Sequence, residues 1–390
     1  MRRLCSVIPA LAALAFGSTA YAACDTANKF VFNYSSRPTA TLSYGQTYSY
    51  NAANGGGATR AFTVAIAQNG LSSTQAGGVQ MPAIGTLVSG ASGANDLIFG
   101  GTFSGRTANI TSTTRVITLT FTFTQPVRDF AMVTHDVDFS ANQFRDWVQV
   151  TGSDGTTTYT PVLSTPWGNG NATGQARTAS GSSLTVGTAT SPMTLSASQV
   201  GGSGTSENNS DTGTLNVSFV QPVTSITFKY GNYPLTSGES ATGQQAIGIG
   251  GISFCPMPSL SVTKSSAPAS GTYGAYNIPG NDVIYTLTVA NTGGSPIDAG
   301  SIVLTDALPA NTVFRNSAFD GTTSLPVKVV SAGGTTITGT NITYSQSGNG
   351  AFSYTPASGY DAQVDGIRIA PSGELAANST LSVQFMARVK

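Results

Sequence analysis

Residues 117–123 read Ile117-Thr-Leu119-Thr-Phe121-Thr-Phe123, an unbroken alternation of apolar and hydroxyl side chains. Successive side chains of a strand point to opposite faces, so this period of two gathers Ile117, Leu119, Phe121 and Phe123 on one side and the threonines on the other. A strand of that kind has one face on a core and one in water, which is the habit of antiparallel sheet. The same period returns in Val283, Tyr285, Leu287 and Val289, and again in Leu381, Val383, Phe385, Ala387 and Val389. No long period of 3.6 competes with it, and the strong helix formers Glu and Lys are scarce. The expected fold class is all-β.

Outward from this strand, Leu119-Thr-Phe-Thr-Phe-Thr-Gln-Pro-Val-Arg-Asp-Phe-Ala-Met132 lines up with Leu215-Asn-Val-Ser-Phe-Val-Gln-Pro-Val-Thr-Ser-Ile-Thr-Phe228. Each copy is an alternating strand, a Gln-Pro-Val break and a second strand. Proline cannot donate to a sheet ladder, so it marks the corner where the chain leaves one strand for the next. With a hairpin around Gly152-Ser-Asp-Gly155, the two copies suggest a large, jelly-roll-like β-sandwich over residues 23–255. The alternative is that the repeat is only the common grammar of strands. This unit and the run Ala246-Ile-Gly-Ile-Gly-Gly-Ile-Ser-Phe254 resemble pieces of lectin-like jelly-roll domains in secreted bacterial proteins. That resemblance implies a sandwich, and sugar binding by analogy of fold alone.

The chain begins with Arg2 and Arg3, an apolar run from Val7 to Phe16, and Ala20-Tyr-Ala22. These are the charged, hydrophobic and small-residue parts of a secretory signal, with cleavage expected after Ala22 and an exported, soluble mature chain. Tyr21-Ala-Ala-Cys24 departs from a lipoprotein cleavage box in having Tyr21 where an aliphatic residue belongs. No later stretch approaches the roughly 20 apolar residues that a spanning helix needs. Of three cysteines, Cys5 leaves with the signal. Cys24 and Cys255 then sit at the two ends of the large domain, and in an oxidising compartment they should form a disulfide. A stiff linker, residues 256–259 with Pro256 and Pro258, separates that domain from residues 260–390.

The second domain opens with Leu260-Ser-Val-Thr-Lys264, continues through Tyr285-Thr-Leu-Thr-Val-Ala-Asn-Thr-Gly293, and carries Val303-Leu-Thr-Asp-Ala-Leu-Pro309. It resembles the bacterial domain of unknown function eleven, the conserved repeat domain, whose members are immunoglobulin-like modules of cell-wall and outer-surface proteins. The resemblance implies an immunoglobulin-like β-sandwich serving as a spacer at a cell surface. Some surface immunoglobulin-like modules join a first-strand lysine to a last-strand asparagine beside an acid. Lys264 and Asn378 fall on such strands, with Asp306 or Glu374 as the acid.

Charge excludes one class of partner: 17 basic residues balance 17 acidic ones and only 9% of the chain is charged, which leaves no basic field for nucleic acid. Catalysis is restricted too, because the chain holds a single histidine, His135. A triad would have to pair it with Asp136 or Asp138, without a Gly-x-Ser-x-Gly elbow, and a strand-end packing role is expected instead. A glycosidase needs two facing carboxylates, for which Asp136, Asp138 and Asp146, or Glu207 and Asp211, are the candidates.

The segment His135-Asp-Val-Asp-Phe-Ser-Ala-Asn-Gln-Phe-Arg-Asp146 also offers oxygen ligands for calcium in Asp136, Asp138, Asn142 and Asp146. Asp136 and Asp138 share a face if the strand continues. The competing reading is turn chemistry, with Asp146 paired to Arg145 or Arg128. Trp167, in Thr165-Pro-Trp-Gly-Asn-Gly170, has a loop composition and could stack on a sugar, whereas Trp147 is expected on a core face. The function expected from these features is that of a non-enzymatic, structural or adhesive surface or extracellular protein, its first domain binding or assembling and its second acting as a spacer, with surface polysaccharide or other extracellular proteins as partners. The alternative is a calcium-dependent carbohydrate-binding protein or glycan-active enzyme using the Asp136 to Asp146 loop.

Overall fold

The computed structural model describes residues 13–14, 24–165, 172–173, 183–185, 192–271, 274–321, 323–346 and 350–390. Among them there is no α-helix, only strands, turns and three short 3-10 segments. Their contacts fall into two units, residues 24–256 and residues 257–390, the latter taking in residues 13–14, which pair with Leu304 and Thr305.

The framework of the first unit comprises β1 (Phe30–Asn33), β2 (Gln46–Ala53), β3 (Thr59–Asn69), β4 (Asp96–Phe103), β5 (Val116–His135), β6 (Phe139–Ser140), β7 (Phe144–Ser153), β8 (Gln199–Gly201), β9 (Leu215–Ser218), β10 (Val223–Asn232) and β11 (Gln244–Pro256). Antiparallel ladders connect them into a network that closes on itself. The 20-residue strand β5 makes that closure. Its first half lies between β3 and β10, and its second half between β9 and β11. The register shifts between Thr122 and Val127, at the Gln-Pro break. The corner expected at Pro126 is therefore an irregularity inside one continuous strand, where its partners change, rather than a gap between two strands.

The internal repeat has structural content. The first strand of the first copy pairs with the second strand of the other, Leu119 opposite Phe228 and Phe121 opposite Ile226. The second strand of the first copy pairs with the first strand of the other, Met132 opposite Val217 and Thr134 opposite Leu215. Strand grammar alone does not require this reciprocal pairing.

The alternation that opens the sequence does what its period dictates. Ile117, Leu119 and Phe121 are fully buried and join Phe99, Phe228 and Ile247 in one continuous core. Each such side chain contributes about 1.5–3 kcal/mol when taken from water. Aromatic rings chain through this core, Phe62 against Phe32 at 5.2 Å and Phe123 against Phe254 at 4.9 Å, mostly edge-on as ring quadrupoles prefer. The Gly152–Gly155 hairpin is present, with Gly152 opposite Tyr159 and Gly155 at φ 99°.

A disulfide joins Cys24 to Cys255 with Cα atoms 5.8 Å apart, across a sequence separation of 231. Beside it, Phe30 faces Phe254 in the β1–β11 ladder.

The second unit contains β12 (Leu260–Pro268), β13 (Asp282–Asn291), β14 (Leu304–Ala307), β15 (Thr312–Asn316), β16 (Val327–Ser331), β17 (Ile342–Gln346), β18 (Val364–Ile369) and β19 (Ser379–Val389). One sheet runs β12-β13-β19 with β15 and β16 also on β19, and another runs β14-β18-β17. Val283, Tyr285, Leu287 and Val289 from the first meet Leu304, Ile342, Ile367 and Ile369 from the second in a shared core, so the unit is a two-sheet sandwich.

Candidate functional site

β5 stops at His135 because Asp136 takes a left-handed backbone, φ 66°, which a short polar side chain tolerates and a strand does not. The chain then crosses the end of the barrel. The Val137 amide donates to the Gly213 carbonyl at 2.9 Å and the Phe139 amide to Gly204 at 3.1 Å. The Asp138 amide donates to Asp146 Oδ2 at 3.0 Å, and the Asp146 amide donates back to the Asp138 carbonyl at 3.0 Å. Gly202 permits this crossing, since a Cβ there would lie 1.8 Å from the Asp138 carbonyl oxygen. The strand does not continue, so the face expected to present Asp136 and Asp138 does not form. The turn nevertheless brings both to one place.

That place is a concavity of about 510 Å³, lined by Asp136, Asp138, Ser206, Glu207, Asn208 and Gln245 among others. Asp136 is 6% exposed, Asp138 3% and Gln245 2%. Oδ1 of each aspartate and both amide atoms of Gln245 have no hydrogen-bond partner. The Ser206 amide donates to Asp138 Oδ2 at 2.8 Å. Burial, reinforced by the charge of Asp138, pushes the Asp136 carboxyl up to about 8. Burial likewise pushes Asp138 up to about 7, against the pull of the Ser206 amide and Arg145. Asp146 lies behind them, fully buried and raised well above the carboxylate range by burial and by Asp138. Its Oδ1 accepts the Tyr230 hydroxyl at 2.7 Å.

Arg145 does not neutralise this group. Its guanidinium grips Glu239 with Nε at 2.9 Å and Nη2 at 2.7 Å, and donates to the Gly202 carbonyl. Arg128 pairs with its neighbour Asp129 at 2.5 Å. The expected Asp146 pairing with Arg145 or Arg128 is therefore replaced by Tyr230 and the Asp138 amide. Asn142 occupies the exposed tip of the β6–β7 hairpin at φ 64° and does not line the concavity. Of the four calcium ligands expected from sequence, the structure brings Asp136 and Asp138 to the cavity wall. It sets Asp146 behind them and Asn142 outside. Gln245 and Ser206 come from distant segments that gave no signal of their own beyond polarity, whereas Glu207, a carboxylate candidate from the sequence, joins them without its expected partner Asp211, which borders a different concavity.

His135 Nδ1 lies 2.7 Å from Asp96 Oδ2, so its acidic partner is on β4 rather than at Asp136 or Asp138. Burial pulls its pKa down, but the Asp96 contact outweighs this and the net direction is up. The alternating glycines of β11 make room: a Cβ on Gly248 would stand 2.6 Å from Asp96 Oδ2, and one on Gly250 2.9 Å from His135 Cε1. The pair borders a second concavity of about 560 Å³ with Val31, Val133 and Ile252 on its floor. Among the described residues no serine hydroxyl bonds the ring, and the geometry is that of a strand-end packing pair.

Trp147 is 6% exposed and packs edge-on against Tyr233 at 4.9 Å, a core role. Trp167 lies outside the described residues. In the second unit Lys264 Nζ meets Asp306 Oδ1 at 2.7 Å, with side chains 3% and 0% exposed. Asn378 sits in an exposed turn at φ 53° and Glu374 is also exposed, so the lysine is engaged by Asp306 and not by Asn378.

No described helix is long and apolar enough to cross a membrane. No family model, no curated protein and no solved structure matches the chain.

Proposed function

We propose that the chain is an exported bacterial surface or extracellular protein. In this reading residues 24–256 bind a hydroxyl-rich ligand of the polysaccharide class in the acidic concavity, and residues 257–390 act as a spacer. One observation carries it: Asp136, Asp138 and Gln245 line a concavity with polar atoms that are shielded from solvent and unpartnered. Each such atom costs roughly 1–3 kcal/mol when left unsatisfied. A fold that retains several in one hollow is arranged for a partner that satisfies them. The exposed polar rim of Glu207, Asn208 and Gln244 supplies further donors and acceptors of the kind sugar hydroxyls use. The Cys24–Cys255 disulfide fits an oxidising compartment, as the signal-like first residues do. The resemblance of residues 260–390 to surface repeat modules supports the spacer role.

A glycan-cleaving alternative has one observation behind it. A carboxyl held protonated near neutral pH is what a general acid requires, and Asp136 and Asp138 are pushed in that direction. The two readings separate in one experiment, in which immobilised polysaccharides are presented to the wild type and to a Glu207→Ala/Asn208→Ala rim variant. Retention without release of reducing ends, lost in the rim variant, supports binding. Reducing ends that vanish in Asp136→Asn would shift the assignment to hydrolysis. Retention unchanged by the rim substitutions would remove the concavity from the account.

A further inference from the structure

We infer that the acidic concavity is a divalent-cation site of the calcium class, held by Asp136, Asp138 and the side-chain amide oxygen of Gln245. This deepens the ligand-binding reading and rests on it for the cation's purpose, which is to present open coordination positions to ligand hydroxyls.

Charge balance is the first argument. Asp136, Asp138 and Asp146 are all buried in the one segment 136–146, and Glu207 stands exposed on the rim. The nearest guanidinium, Arg145, is committed to Glu239, and His135 is turned to Asp96. Among the described residues neither Asp136 nor Asp138 has an ion-pair partner, although Arg145 draws on Asp138 and His135 on Asp136 from their own pairs. An enclosed excess of negative charge is relieved either by protons or by a metal ion.

Gln245 decides between the two. Its side chain is 2% exposed on β11, and neither its amide oxygen nor its amide nitrogen has a partner. A protonated aspartate can offer its single O–H to this amide oxygen, whereas a cation takes the amide oxygen and both carboxylates together. Among the described residues no three His, Cys, Asp or Glu side chains converge as a metal centre. A third protein donor is then a neutral one, and of the neutral side chains lining the cavity Gln245 is the one that is both buried and unpartnered. The donors are all oxygen, which suits a hard cation and disfavours zinc or copper, whose sites draw on imidazole and thiolate. Calcium tolerates irregular, high coordination completed by water or ligand better than magnesium does. Asp146 is a positioning residue here, because its oxygens are occupied by the Tyr230 hydroxyl and the Asp138 amide.

The test is a calorimetric titration of the chelator-stripped mature chain with calcium chloride. One binding site is expected. Asp136→Asn, Asp138→Asn and Gln245→Leu should each weaken it by roughly tenfold or more, since even groups behind a metal's direct ligands cost that much. Asn142→Ala should leave it unchanged, and unfolding in chelator should establish that every variant folds. Where Gln245→Leu does not fold, Gln245→Glu replaces it and should tighten calcium binding. Absence of calcium binding overturns the inference, as does binding that survives both aspartate variants, disappears in Asn142→Ala, or fails to tighten in Gln245→Glu. Polysaccharide retention that persists in chelator would sink the cation while leaving the ligand site standing. Calcium binding without any rim-dependent polysaccharide retention supports the cation and would sink the ligand reading instead.

Discussion

Replacing Cys24 and Cys255 by serine should destabilise residues 24–256 and leave residues 257–390 untouched. The bond closes a loop across a sequence separation of 231. Loop-closure entropy for that length comes to about 5 kcal/mol at room temperature, and residual structure in the denatured chain lowers the realised loss to about 2–5 kcal/mol. The native side contributes little, because Phe30 opposite Phe254 already registers β1 on β11 beside the cysteines. The effect therefore belongs to the unfolded chain. Both tryptophans lie in the first unit, so their fluorescence during urea unfolding follows that unit alone. Its midpoint should fall in the variant while the far-ultraviolet transition of an isolated 257–390 fragment stays where it is. A loss below about 1 kcal/mol would refute the loop argument. It would mean either that the denatured chain keeps its ends together or that strain in the bond offsets the gain.

Arg145→Met strands the buried Glu239 and should cost about 3–5 kcal/mol, with most of it regained in Arg145→Met/Glu239→Leu; chemical denaturation measures both. Tyr230→Phe removes the hydroxyl that Asp146 accepts and should cost about 1–3 kcal/mol by the same assay, with weaker calcium binding as Asp138 loses its anchor. In the second unit, Lys264→Met/Asp306→Leu replaces a buried ion pair with apolar groups and should be neutral or stabilising by about 1–4 kcal/mol. Burial raises the Asp306 carboxyl, although Lys264 opposes it. The folded form thus holds its proton longer than the unfolded one, and wild-type stability falls as pH rises from the unfolded value through the raised one. The advantage of the double variant should widen over that range, and a gap that narrows with rising pH would contradict the burial argument.

The strands were legible because period two and burial are the same fact seen twice: Ile117, Leu119 and Phe121 alternate with threonine and lie inside. The cysteines were legible because only Cys24 and Cys255 lie outside the expected signal, one at each end of the first unit. The repeat was visible, but its reciprocal pairing was not, since register across a sheet leaves no mark on either strand by itself. The same reason hid the partners at the site. Asp146 finds Tyr230, Arg145 finds Glu239 and His135 finds Asp96, each through ladders that join distant segments. Asn142 and Asp138 look equivalent as oxygen donors in a sequence. A hairpin tip exposes one, while a crossing chain buries the other. Gln245 occupies an exposed-looking slot in an alternating strand, and only the closure of the barrel end makes it an interior group.

The exchange of strands between the two Gln-Pro-Val copies also bears on the order in which the molecule can be made. Each copy supplies neighbours that the other lacks, so residues 119–132 are made with an unclosed edge that persists until residues 215–228 follow. During that interval the first copy is open to pairing with any matching strand, including the same segment of another nascent chain. Until synthesis of the unit is nearly complete, its best guard against such mispairing is the solubility of its threonine-bearing face.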